Sequence, residues 1–151
     1  MIPCANPKAQ YLSNQEEINS AIQNVLDSGW YILGKEVENF EQEFATYNGV
    51  RHSVGVGSGT EALHIALRAL DIGPGDEVIT TSHTAVATAS AIVLSGAKPI
   101  FVDIESEFFT IDPNHIENAI THKTKALIPV HIYGHPCNMD AVLDIAQRKD
   151  L

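Results

Sequence analysis

The sequence predicts an α/β fold: a mostly parallel sheet flanked by helices and preceded by two N-terminal helices. Three observations predict it. Strand-like and helix-like segments alternate from residue 51 onward, Gly- and Pro-containing turns separate them, and the first 50 residues carry helical periodicity alone. Residues 1–50 are therefore expected to form an N-terminal helical segment, and 51–151 the first part of an α/β domain. With 151 residues, the chain can bury about two thirds of its unfolded surface, enough for one core.

Each element has a local reason. Ser13-Asn14-Gln15-Glu16 fits a capping box, after which Ile18, Ala21, Ile22, Val25 and Leu26 make one helical stripe that Gly29 stops. Trp30-Tyr31-Ile32-Leu33-Gly34 is an apolar and aromatic link. Val37, Phe40, Phe44 and Tyr47 then recur at steps of three and four on a second helix ending at Gly49. A strand is expected at 52–56, a helix from Thr60 to Leu70, a turn at Gly73-Pro74-Gly75-Asp76, and a strand at 77–80. Thr84 to Ser95 reads as a small-residue helix, Pro99 to Asp103 as a strand, and Asp112 to Ile120 as a helix. Lys125 to His131 reads as a strand and Met139 to Lys149 as a helix. Ligands of such sheets sit at the carboxyl ends of strands.

The run Gly57-Ser58-Gly59-Thr60-Glu61-Ala62-Leu63 falls at one of those ends and opens a helix. Glycine lets the backbone approach an anion closely, and the first helical turn aims free N–H groups at it. The dipole at that end adds about 0.3–2 kcal/mol for a negative group. A phosphate is the expected ligand. Nine Lys and Arg against nineteen Asp and Glu give a formal net charge of −10, which repels nucleic acid and anionic lipid. The phosphate therefore belongs to a small molecule.

Cys4 and Cys137 are too few and too far apart for a disulfide framework, which fits a reducing cytoplasm. No segment approaches the roughly 18 apolar residues of a membrane span, and Met1 to Lys8 holds no signal-type apolar run. His131, His135 and Cys137 have a loose metal-ligand look, but a fourth ligand is missing and the strand, turn and Pro context reads as structural; no metal is expected.

Several blocks together resemble the pyridoxal-phosphate-dependent sugar aminotransferases of the DegT/DnrJ/EryC1/StrS type. In order they are Lys8-Ala9-Gln10-Tyr11, Ser28 to Gly34, Gly57 to Leu63, and Gly73-Pro74-Gly75-Asp76-Glu77-Val78-Ile79. His83-Thr84-Ala85-Val86-Ala87-Thr88, Phe101-Val102-Asp103-Ile104 and Pro129 to Pro136 follow. The resemblance implies the N-terminal part of the large domain of a fold-type I transferase, with pyridoxal 5′-phosphate as cofactor. Its phosphate would lie on Ser58, Gly59 and Thr60. Many members carry an aromatic ring just after the Thr, where this chain has Ala85, so His83 is the candidate for the ring that faces the pyridine.

The family's Schiff-base Lys, and the Asp that keeps the pyridinium nitrogen protonated, lie downstream of the region matched here, beyond Leu151. None of Lys8, Lys35, Lys98, Lys123, Lys125 and Lys149 sits in surroundings that would depress an amine pKa, so the 151-residue chain is expected to be an N-terminal portion, inactive by itself. For the full-length enzyme the resemblance implies amination of a keto group on a nucleotide-linked deoxysugar by an amino acid such as glutamate. The block at His83 to Thr88 most resembles members acting on dTDP-3-keto-6-deoxyhexoses. A cytoplasmic homodimer is implied, with Trp30 to Gly34 near the neighbouring subunit, in deoxysugar, lipopolysaccharide or O-antigen biosynthesis.

Three alternatives stay open. Some relatives replace the Lys by His and dehydrate the sugar. A nucleotide-binding module is suggested by Gly55-Val56-Gly57-Ser58-Gly59-Thr60 with Asp76 beyond it, although Thr60 stands where a dinucleotide fingerprint wants Gly. The last is a non-catalytic fragment.

Overall fold

A computed structural model describes residues 4–151. Met1–Pro3, part of the stretch read as lacking a signal-type run, lie outside the described residues. Two compact units divide the chain after Gly55.

In the first unit, α1 (Pro7–Ser13) starts with Pro at the first turn and Asn6 as its cap, the Asn6 side chain accepting from Ala9 N–H. This short helix comes before the two that periodicity predicts, α2 (Gln15–Ser28) and α3 (Lys35–Asn48), which end at Gly29 and Gly49 in the left-handed region. The expected capping box at Ser13 does not form. Asn14 breaks the helix instead, and the Ser13 hydroxyl bonds backward to the Gln10 carbonyl at 2.8 Å. Between α2 and α3, the Trp30 indole N–H donates to the Ile32 carbonyl at 2.6 Å, and Leu33 takes φ +50°.

The expected strand at 52–56 is not a strand. No described segment pairs with it, and without a ladder partner an extended stretch leaves its backbone groups unpaired. Gly55 N–H is satisfied by the Glu41 carboxylate at 2.7 Å.

The second unit is a parallel three-stranded sheet in the order β2-β1-β3, made of β1 (Glu77–Thr81), β2 (Lys98–Val102) and β3 (Thr124–Ile128). Helices α4 (Gly59–Ala69) and α5 (Val86–Ser95) cover one face, and α6 (Pro113–Ala119) and α7 (Met139–Lys149) the other. The register shows why both faces are apolar. Ile79 lies level with Ile100 and Leu127 in one layer, packed with Ile116, Val142 and Ile145. Val78 lies level with Ala126 in the other, packed with Leu67, Ile72, Ile92 and Ala97. Val78, Ile79, Thr80 and Thr81 are all fully buried, so β1 reads as a central parallel strand should.

At the amino edge of the sheet, Gly73 lies against the Ser95 carbonyl and the Arg68 side chain, so the ends of α4 and α5 meet there. Since α4 and α5 pack on each other, both helices begin near the opposite, carboxyl edge. That shared polarity places the site.

Candidate functional site

Ser58 caps α4. It has extended backbone, and its Oγ accepts from Glu61 N–H at 3.2 Å while the Glu61 carboxylate reaches back to Gly57 N–H at 2.9 Å. This is a capping box displaced by one residue. A Cβ at position 57 would stand 2.6 Å from the Glu61 oxygen, so a larger residue there would make that carboxylate shift. With Glu61 and Ala62 N–H both held by Ser58, no hydrogen bond reaches Gly59 N–H or Thr60 N–H among the described residues. These are the two amides that a helix start leaves for an anion.

Ser58 and Gly59 are exposed, Thr60 is half-buried, and a Cβ on Gly59 would meet nothing within 4 Å. The cup is thus open. The Ser58 hydroxyl uses a lone pair for Glu61 and keeps its proton to donate, and the Thr60 hydroxyl has no partner among the described residues. Two amides and two hydroxyls suit a phosphate dianion, and no lysine is needed.

His83 lies two residues past β1. Its N–H donates to Thr81 Oγ1 at 3.4 Å, and its ring Nε2 is 2.9 Å from the Tyr133 hydroxyl. Along the same carboxyl edge, Ser82 Oγ donates to Asp103 Oδ1 at 3.4 Å and Thr80 Oγ1 donates to the Ile128 carbonyl at 2.8 Å. The Thr84 and Thr88 hydroxyls pair at 2.8 Å; Ala85, with extended backbone, is the cap, so α5 starts two residues later than expected.

His131, His135 and Cys137 are occupied otherwise than as ligands. Cys137 N–H donates to His131 Nδ1 at 3.1 Å, Cys137 Sγ–H to the Val130 carbonyl at 3.1 Å, and the His135 ring stacks on Phe108 with centroids 4.3 Å apart. All six lysines are exposed. Tyr133 is the residue that sequence reasoning missed. The only local signal is a Tyr-Gly pair just past a strand.

Free helix amides and small hydroxyls at the carboxyl edge of a parallel sheet are groups suited to an anionic ligand in an α/β protein. The chain belongs to the DegT/DnrJ/EryC1/StrS aminotransferase family, whose model matches residues 12–151. It is 50% identical over 150 residues to a dTDP-3-amino-3,4,6-trideoxy-alpha-D-glucose transaminase of Streptomyces venezuelae, covering 99% of this chain and 40% of that protein. The crystal structure of S. venezuelae DesV in complex with a ketimine intermediate superposes with a TM-score of 0.97 at 50% identity, over 99% of this chain and 40% of that one. NtdA from Bacillus subtilis, with bound cofactor PMP, gives 0.89 at 41% identity, over 92% of this chain and 32% of that one. The chain thus spans about two fifths of the length of the relatives it matches. Its architecture is the first part of the large domain of the fold-type I pyridoxal-phosphate-dependent transferases.

Proposed function

We propose that the whole protein is a pyridoxal-phosphate-dependent aminotransferase that aminates a keto group of a nucleotide-linked deoxysugar, with an amino acid such as glutamate as donor. A dTDP-3-keto-6-deoxyhexose is the acceptor we favour. The observation that carries the reading is the open cup, in which the Gly59 and Thr60 amides stand free beside the Ser58 and Thr60 hydroxyls.

In this reading Ser58, Gly59 and Thr60 hold the cofactor phosphate, and His83, at the carboxyl end of the central strand, offers its ring to the pyridine. The bound cofactor supplies an electron sink and a carrier for the amino group. This chain's part is to bind and orient it. The Glu61 carboxylate serves by tying down Gly57, which keeps the cup's backbone fixed when the anion arrives. The assembly we propose is a homodimer in the cytoplasm. Trp30, Tyr31, Ile32 and Leu33 form an exposed apolar run pinned by the indole hydrogen bond, and we assign them to the subunit contact. No helix among the described residues is long and apolar enough to cross a membrane.

The test uses the full-length protein loaded with pyridoxal phosphate and freed of excess. Addition of L-glutamate is expected to convert the bound cofactor to its amine form and release one equivalent of 2-oxoglutarate; a nucleotide-linked keto sugar then restores the aldehyde form. A protein that retains no cofactor, or retains it and yields no 2-oxo acid with any amino donor, would refute the reading.

A further inference from the structure

Tyr133 is held in an unfavourable backbone conformation that its own burial does not explain. It sits at φ +56°, ψ +17° inside a single 3₁₀ turn (Ile132–Gly134) just past β3, and the residue is 80% exposed. A bulky residue in the left-handed region costs of order 1–3 kcal/mol and persists only where the surroundings impose it. Here the turn is fixed from both sides. Ile132 N–H donates to the Val130 carbonyl at 2.9 Å, Gly134 N–H to His131 at 3.2 Å and His135 N–H to Ile132 at 2.9 Å. Behind it, Cys137 N–H donates to His131 Nδ1.

The outcome of that conformation is one contact. The Tyr133 hydroxyl meets His83 Nε2 at 2.9 Å across 50 residues of sequence, with the rings 5.7 Å apart and tilted by 56°. Tilted rings at this separation have an edge-to-face component, so the phenol constrains both the hydrogen-bonding nitrogen and the plane of the imidazole. Two strand ends, those of β1 and β3, are thereby joined at the carboxyl edge.

We propose that Tyr133 is the positioning residue that fixes the orientation of the His83 imidazole, and so presets the surface on which the cofactor ring rests. The second half rests on His83 facing that ring; the first half does not. The phenol hydroxyl can donate to Nε2 or accept from it, so the contact holds the ring in place in either neutral tautomer.

The experiment compares wild type with Tyr133→Phe in the full-length protein, 15N-labelled at histidine and stripped of cofactor, by imidazole nitrogen NMR. The His83 ring shifts are expected to move toward those of a free imidazole, while the His131 shifts, which report the adjacent Cys137 contact, stay in place. Unchanged His83 shifts would overturn the proposal. The second measurement is a cycle with His83→Phe on the dissociation constant for pyridoxal phosphate. Tyr133→Phe is expected to weaken binding about fivefold, the effect of one hydrogen bond of ordinary strength. In the His83→Phe background it is expected to have no further effect. Equal weakening in both backgrounds would show that Tyr133 does not act through His83, and this cycle decides the matter if the His131 shifts also move. If wild type retains no cofactor, the functional reading fails, and the nitrogen shifts alone judge the Tyr133 contact.

Discussion

Gly75 and Gly96 make a matched pair that separates backbone strain from steric conflict. Both have left-handed backbone, at φ +98° and +91°. A Cβ at Gly75 would meet nothing within 4 Å, whereas at Gly96 it would stand 2.9 and 3.0 Å from the Pro74 ring carbons and 3.2 Å from the Pro74 nitrogen. The proline ring is locked in φ and cannot swing aside. Gly75→Ala is therefore expected to lose about 1–2 kcal/mol, the usual penalty for an L-residue on that side of the map. Gly96→Ala adds an overpacking term of about 1–3 kcal/mol, for a total of about 2–5 kcal/mol. The assay is native-state hydrogen exchange in the full-length protein, reading the Val78 to Thr81 amides of the fully buried central strand, whose opening reports the unit that contains both glycines. Equal loss of protection in the two variants would refute the assignment of Pro74 as the obstacle.

Two further outcomes follow from side chains at the carboxyl edge and beside it. Thr60→Val keeps the shape and removes a hydroxyl that has no partner among the described residues, so stability should change by less than about 0.5 kcal/mol. Affinity for pyridoxal phosphate should fall roughly 10- to 100-fold, as for a lost hydrogen bond to a charged group; unchanged affinity in a dialysis titration would count against the phosphate assignment. At Glu105, desolvation raises the carboxyl pKa, but the Phe108, Glu107 and Thr110 N–H groups and the Thr110 hydroxyl outweigh it and hold it below the usual carboxylate value. A depressed value means the loop at 105–110 keeps this stabilisation above the ordinary carboxyl pKa and loses it as pH falls through the lowered one. Exchange protection of the Phe108 and Thr110 amides, corrected for intrinsic rates, should drop over that acid range in wild type and show no such step in Glu105→Gln.

What was legible in the sequence was what local chemistry decides. Met139–Lys149 is a helix with the expected bounds because Asn138 caps it and its apolar positions recur at helical spacing. The cup at Ser58 was legible for the same reason, since glycines, a capping serine and Glu61 act within five residues. Elements defined by partners were not. Val54 and Val56 have strand composition, yet a strand exists only where a neighbour completes its ladder. The strand expected to run to His131 stops at Ile128, because Pro129 has no N–H to donate and the chain turns into the 3₁₀ segment. The tie between His83 and Tyr133 spans 50 positions, and no window of sequence reveals it.

The burial of β1 has a mechanical consequence. His83 stands two residues beyond a strand buried between both apolar layers, and the phenol opposite rises from a solvent-facing turn. The turn that carries the phenol is pinned by its own backbone hydrogen bonds, so the imidazole is gripped between two anchored stretches of main chain and only its side-chain torsions are left for the phenol to set.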